Sequence, residues 1–208
     1  MTRQFDVKDE IELKDDLDKN PNGRLPADAI ENYFYHVESF LDDLKALPDK
    51  DLLRSLTSPF EVVRTTALPC VKGNRVGSSD GSNKVESELI WPYLSQLANR
   101  LSNGYDLGDC LANEKFGDSK ATVSGLQLRL DKNELSIQVD VQKSSFHSAG
   151  LLSDVLTSEL ASHDWANESR ICQQILANTS FRSENDQVFI VTRLPRAGLD
   201  SLLAVDAK

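Results

Sequence analysis

Residues 134–142, ELSIQVDVQ, alternate without a break. Leu135, Ile137, Val139 and Val141 take every second position, and Ser136, Gln138, Asp140 and Gln142 take those between. Successive side chains of a β-strand point to opposite faces of its sheet. This segment therefore reads as a strand with one face on a core and the other polar. Just upstream, Leu126, Leu128 and Leu130 alternate with Gln127 and Arg129, which is a second strand. Between the two lies Asp131-Lys132-Asn133-Glu134, which looks like a tight hairpin turn. Such a turn would pair Asp140 with Gly125 and leave Asp131 far along the strand. A wider turn centred near Leu135 would bring Asp131 closer. Both registers are open to the sequence.

The rest of the chain supplies helices for these strands. Residues 1–25 are polar, and Asn20-Pro21-Asn22-Gly23 is a turn cluster, so a loosely held arm is expected. Pro26 or Asp28 can open a helix to about Leu47, with Ile30, Phe34, Val37, Leu41 and Leu44 on its apolar face and Pro48 as its stop. A short helix is predicted over 50–57 and a strand over 60–68. A glycine- and serine-rich loop follows at 72–84, then a helix from about 83 to 101 with Trp91-Pro92 as a candidate kink. Residues 102–121 read as irregular. Helical stretches are predicted at 149–161 and 165–178, and QVFIVTR at 187–193 as a buried strand. This order suits an α/β domain with a mixed central sheet flanked by helices, the helix at 84–101 on one side and those at 149–178 on the other.

Size and charge narrow the function classes. At 208 residues, with 39% hydrophobic residues, the chain can bury one core. It has no apolar run near the ~18–20 residues that span a bilayer, and its start, MTRQFDVKDE, lacks the apolar stretch of a secretory signal. Cys70, Cys110 and Cys172 are far apart, as suits reduced thiols in a cytoplasmic protein. The formal net charge is -10. Residues 1–51 hold 14 acids against 7 bases and residues 52–208 hold 19 against 16, so the acidity is mostly N-terminal. An acidic chain has little non-specific affinity for nucleic acid, although a local basic groove is compatible with it. P-loop, dinucleotide-binding, GxSxG and HExxH motifs are absent from the sequence.

Asp140 and Gln142 are neighbours on one face of a strand. A carboxylate and an amide oxygen projecting together can hold a hard cation such as Mg²⁺. The same residues also read as the solvated face of an ordinary amphipathic strand. The pattern Asp131-x8-Asp140-x-Gln142, followed by Lys143-Ser144-Ser145-Phe146, resembles the metal-binding core of PD-(D/E)xK nucleases, in particular type II restriction endonucleases with Gln as the last motif residue. Arg75-Val76-Gly77 ahead of a helix that opens Val85-Glu86-Ser87-Glu88 is similar to the basic loop and acid-bearing helix of such enzymes.

The resemblance covers residues 72–193. It implies a single domain: an acidic arm and helical extension over 1–59, and a restriction-endonuclease-like core over 60–200. It further implies that Asp131 and Asp140 ligate Mg²⁺, that Gln142 positions the attacking water, and that Glu86 is the helix acid. Asp118 is the substitute acid if the tight hairpin removes Asp131. Lys72, Arg75, Lys84 and Lys143 would contact phosphates, with Arg193 and Arg196 as further candidates and His147 as a proton-transfer aid. The expected activity is Mg²⁺-dependent, site-specific cleavage of duplex DNA by a cytoplasmic homodimer, since a palindrome needs two sites related by a twofold axis. The alternative, from charge alone, is a non-enzymatic acidic interaction protein: an inhibitor, an immunity protein or a DNA mimic. A nuclease needs a positive cleft around Asp140, and a mimic needs a continuous negative face.

Overall fold

The computed structural model describes residues 26–46, 59–65, 68–72, 83–102, 121–162 and 168–203. In chain order these form α1 (Pro26–Lys45), β1 (Phe60–Thr65), β2 (Leu68–Lys72), α2 (Asn83–Ser102), β3 (Thr122–Leu130), β4 (Glu134–Gln142), α3 (Phe146–Ser162), α4 (Arg170–Ala177), β5 (Thr179–Glu184), β6 (Gln187–Pro195) and α5 (Arg196–Leu203). The strands make one six-stranded sheet in the order β2-β1-β3-β4-β6-β5. The strands predicted at 122–143 and 187–193 thus share a sheet. The predicted helix over 50–57 lies outside the described residues.

Every described strand pairing is antiparallel, which corrects the expected mixed sheet. Short connections are the reason. Residues 131–133 alone join β3 to β4, and Asn185 and Asp186 join β5 to β6. Connections that short can only reverse the chain. Asn185 has φ 55°, the left-handed conformation that a two-residue hairpin turn requires and that Asn tolerates better than most residues.

The helices depart from expectation too. Leu126, Leu128 and Leu130 on β3, Leu135, Ile137, Val139 and Val141 on β4, and Val188, Ile190 and Leu194 on β6 are all buried, and cross-strand pairing puts them on one face. The buried side chains of α1, α2, α3, α4 and α5 join the same cluster. All five described helices therefore cover one side of the sheet, and the expected division of 84–101 and 149–178 between two sides is wrong. Helical periodicity shows that a helix has an apolar stripe; it does not say which face of a sheet the stripe meets.

α1 is the central helix of this layer. It touches α2, α3, α4 and α5, and Ile30, Tyr33, Phe34, Val37, Phe40, Leu41 and Leu44 are buried along it. A polar tie crosses the core beneath it. The Tyr33 and Thr192 hydroxyls lie 2.7 Å apart, those of Thr192 and Thr179 2.6 Å, and Thr179 donates to the Ile175 carbonyl at 2.8 Å. Burial raises the Tyr33 phenol above its ordinary pKa, and the hydrogen bond with Thr192 offsets only part of that. α2 runs through Pro92, which sits on its exposed side.

Candidate functional site

The side of the sheet that no described helix covers holds the residues that the sequence singled out on β4. Four cross-strand rows define it. The first is Glu61, Arg129, Ser136 and Arg193, running from β1 to β6. The second is Val63, Gln127, Gln138, Val191 and Ser180. The third is Thr65, Gly125, Asp140, Phe189 and Arg182. The fourth is Thr122, Gln142, Gln187 and Glu184.

Asp140 faces Gly125 across the β3–β4 ladder, so the tight-hairpin register is the one adopted. Its carboxylate lies over the neighbouring strand, where any side chain on Gly125 would collide with Asp140 Oδ2. The missing side chain of Gly125 is what leaves room for it. Asp140 Oδ1 accepts from Gln138 Nε2 at 2.8 Å. On the other flank stands Phe189, with the Arg182 guanidinium 4.8 Å from its ring centroid.

Asp131 does something else. Its Oδ1 accepts from the backbone N–H groups of Asn133 at 2.7 Å and Glu134 at 3.0 Å, and its Oδ2 from Arg129 Nε at 3.1 Å. Burial alone would raise its pKa; the two backbone hydrogen bonds and the Arg129 guanidinium outweigh that and hold the carboxyl below its ordinary value. This is an Asp folding a turn through its own side chain. It is level with Glu134 across the turn, six residues of strand from Asp140, ~20 Å away at ~3.3 Å per residue. The expected pairing of Asp131 and Asp140 on one Mg²⁺ is therefore not made.

Asp140 and Gln142 do share a face, but they lean apart. Gln142 Nε2 donates to the carbonyls of Lys143 at 3.0 Å and Asp186 at 3.2 Å, and its Oε1 accepts from Gln187 Nε2 at 3.2 Å. The amide oxygen expected to face a metal or water already has a donor. Among the described residues no three His, Cys, Asp or Glu side chains converge as a metal site would need.

The expected phosphate contacts are scattered. Lys143 is only 2% exposed, so it does not border an open cleft. Arg196 binds Asp200 at 2.8 Å within α5. Arg193 is exposed and lies on the open face. His147 is exposed next to Phe146 at the start of α3. Lys72 ends β2, and Lys84 and Glu86 fall in the first turn of α2; the roles expected of their side chains lie outside what is described. Arg75 and Asp118 lie outside the described residues. Cys172 is a free, buried thiol, pushed up to about 11 by burial and by the nearby Glu168, Glu38 and Glu31, so it is a poor nucleophile.

Sequence reasoning placed Ser136 and Gln138 on the face of Asp140 and missed Arg129, Phe189 and Val191, which strand pairing brings beside them. The alternation of β3 and the Gln127–Arg129 pair already carried part of that signal. No protein-family model, curated protein or solved structure matches the chain.

Proposed function

We propose that this chain is a non-enzymatic interaction protein whose working surface is the open face of its sheet. The carrying observation is the one-sided layering: the described helices all lie on one side, and no described element packs on the other. That face is neither a positive cleft nor a continuous negative one. Arg129, Arg193 and Arg182 alternate with Glu61, Asp140 and Glu184 around neutral amides, Val63, Val191 and Phe189. Such a mosaic suits another protein surface better than a phosphate backbone, which rewards concentrated positive charge. The acidic residues Glu31, Glu38, Asp42, Asp43, Asp154 and Glu159 lie on helices of the opposite layer.

The test uses a photo-crosslinking amino acid at Gln127 or Val191, with Asp154 on α3 as control. Adducts with a protein partner should form in cells from the two sheet positions and not from Asp154. Adducts from Asp154 alone would move the working surface to the helical layer.

One observation favours the endonuclease reading: Asp140 and Gln142 still stand next to each other on an open face. It needs a second acid from outside the described residues, with Asp118 the first choice. Incubation of the whole chain with mixed-sequence duplex DNA and Mg²⁺, with an EDTA control, decides between the two. Intact DNA at high protein concentration is expected; discrete, EDTA-sensitive fragments would replace the interaction reading with the nuclease one.

A further inference from the structure

The geometry points to a second copy of this chain as the occupant of the open sheet face, an inference that rests on the interaction reading and names its partner. The row Val63, Gln127, Gln138, Val191 and Ser180 carries no charge, while the rows on either side do. Consider two such faces stacked with a twofold axis between them, along this row and perpendicular to the strands. Each residue on the axis then meets its own copy, so it must be self-complementary. Valine meets valine as apolar contact. A glutamine amide is both donor and acceptor, and so pairs with itself. A charged residue there would meet its own sign; none occupies the row.

The same axis lays the Arg129–Ser136–Arg193 row over the partner's Gly125–Asp140–Phe189 row. Arg129 is set opposite the gap at Gly125, where the partner's Asp140 carboxylate lies. Ser136 comes opposite Asp140 itself and can donate to it. Arg193, which has no ion-pair partner among the described residues, comes opposite Phe189. Symmetry makes every one of these contacts twice, and no like charges are opposed. Five paired strands and the rows of β4 span ~20 by ~27 Å at ~4.8 Å between strands and ~3.4 Å per residue. That is ~540 Å² per partner and ~1,100 Å² in total, at the low end of specific interfaces, as suits association at micromolar concentrations.

Sedimentation velocity on the whole chain tests this, with thermal melting as the check on folding. The wild type should be dimeric at tens of micromolar protein. The double variant Arg129→Glu/Arg193→Glu and the single variant Asp140→Arg should each weaken dimerisation at least tenfold. Mixed together they should form a heterodimer, because both sets of contacts are then of opposite sign. Arg193→Glu alone, which leaves the Asp131 turn untouched, should weaken dimerisation if the double variant fails to fold. A photo-crosslinker at Gln138, on the axis, should give covalent dimer from purified protein. A monomeric wild type at ~100 µM in low salt overturns the proposal. So does a dimer that Arg193→Glu and Asp140→Arg leave intact. Adducts from Gln138 to a different protein, with the purified chain monomeric, overturn the self-association and leave the interaction reading standing. EDTA-sensitive DNA cleavage removes that reading itself.

Discussion

Asp131 illustrates how one carboxylate can be read as a ligand and be a fold determinant. Its three hydrogen bonds close the β3–β4 turn, and that turn puts Asp140 opposite Gly125. The four residues Asp131 to Glu134 already favoured this register in the sequence; the nuclease-like spacing pulled the other way, and local turn chemistry won. Asp131→Ala should lower stability at neutral pH by ~1.5–3 kcal/mol, the usual size for hydrogen bonds to a charged group. The sign with pH follows from the lowered pKa. The carboxylate's contribution is present above its unfolded value, near ~4, and is lost as pH falls through the lower folded value. Urea titrations of wild type and Asp131→Ala should therefore converge as the pH drops below ~4; a constant gap would mean that the charge is not what holds the turn. Gly125 makes a second, separable prediction. A methyl group there collides with the Asp140 carboxylate, so Gly125→Ala should cost ~1 kcal/mol. In an Asp140→Ala background the same change should be neutral or stabilising, because glycine in a strand carries an entropic cost. Equal penalties in both backgrounds would show that the close approach is unimportant.

β3 and β4 were legible from alternating apolar and polar residues, and β1 and β6 from runs of apolar and β-branched ones. β3, β4 and β6 announce themselves through Leu126 to Leu130, Leu135 to Val141 and Val188 to Leu194. β5, TSFRSE, does not: it is an edge strand, and Thr179 is its one buried residue. α5 was missed because RAGLDSLL is short, carries Gly198 and starts directly after Pro195. β5 is held by its pairing with β6 and by the hydroxyl chain from Tyr33 through Thr192 to Thr179. Thr192→Val keeps the shape but leaves the Tyr33 hydroxyl buried without that partner. It should cost ~1–3 kcal/mol in chemical denaturation, and Tyr33→Phe should cost clearly less in a Thr192→Val background than in wild type. Additive costs would mean that the two hydroxyls do not depend on each other.

That the chain forms an α/β domain followed from the alternation of helical and strand patterns; that its helices lie on one side did not. A strand with one apolar face reports only that something covers that face, and each helical stripe reports only that it needs cover. Which stripe meets which face is settled by connection lengths and by α1, whose buried residues touch four other helices and tie them into one layer. The candidate site shared this limit. Asp140 and Gln142 were readable as neighbours, but the rows beside them depend on the pairing of β3, β4 and β6. One-sided layering also makes stability uneven across the molecule. β4 is paired on both edges and backed by a core in which Leu135, Ile137, Val139 and Val141 are fully buried. Among the described residues β2 and β5 close the two edges of the sheet, each with a single paired neighbour. Amides exchange through local opening where pairing is one-sided and through global unfolding where it is not. In native-state hydrogen exchange the β4 amides, with those of β3 and β6 that bond to it, should be the slowest and should report the global unfolding free energy. The amides of β5 that do not face β6 should exchange orders of magnitude faster. Protection of those outward amides equal to that of β4 would mean that a further strand covers this edge, and the six-strand order would then be incomplete.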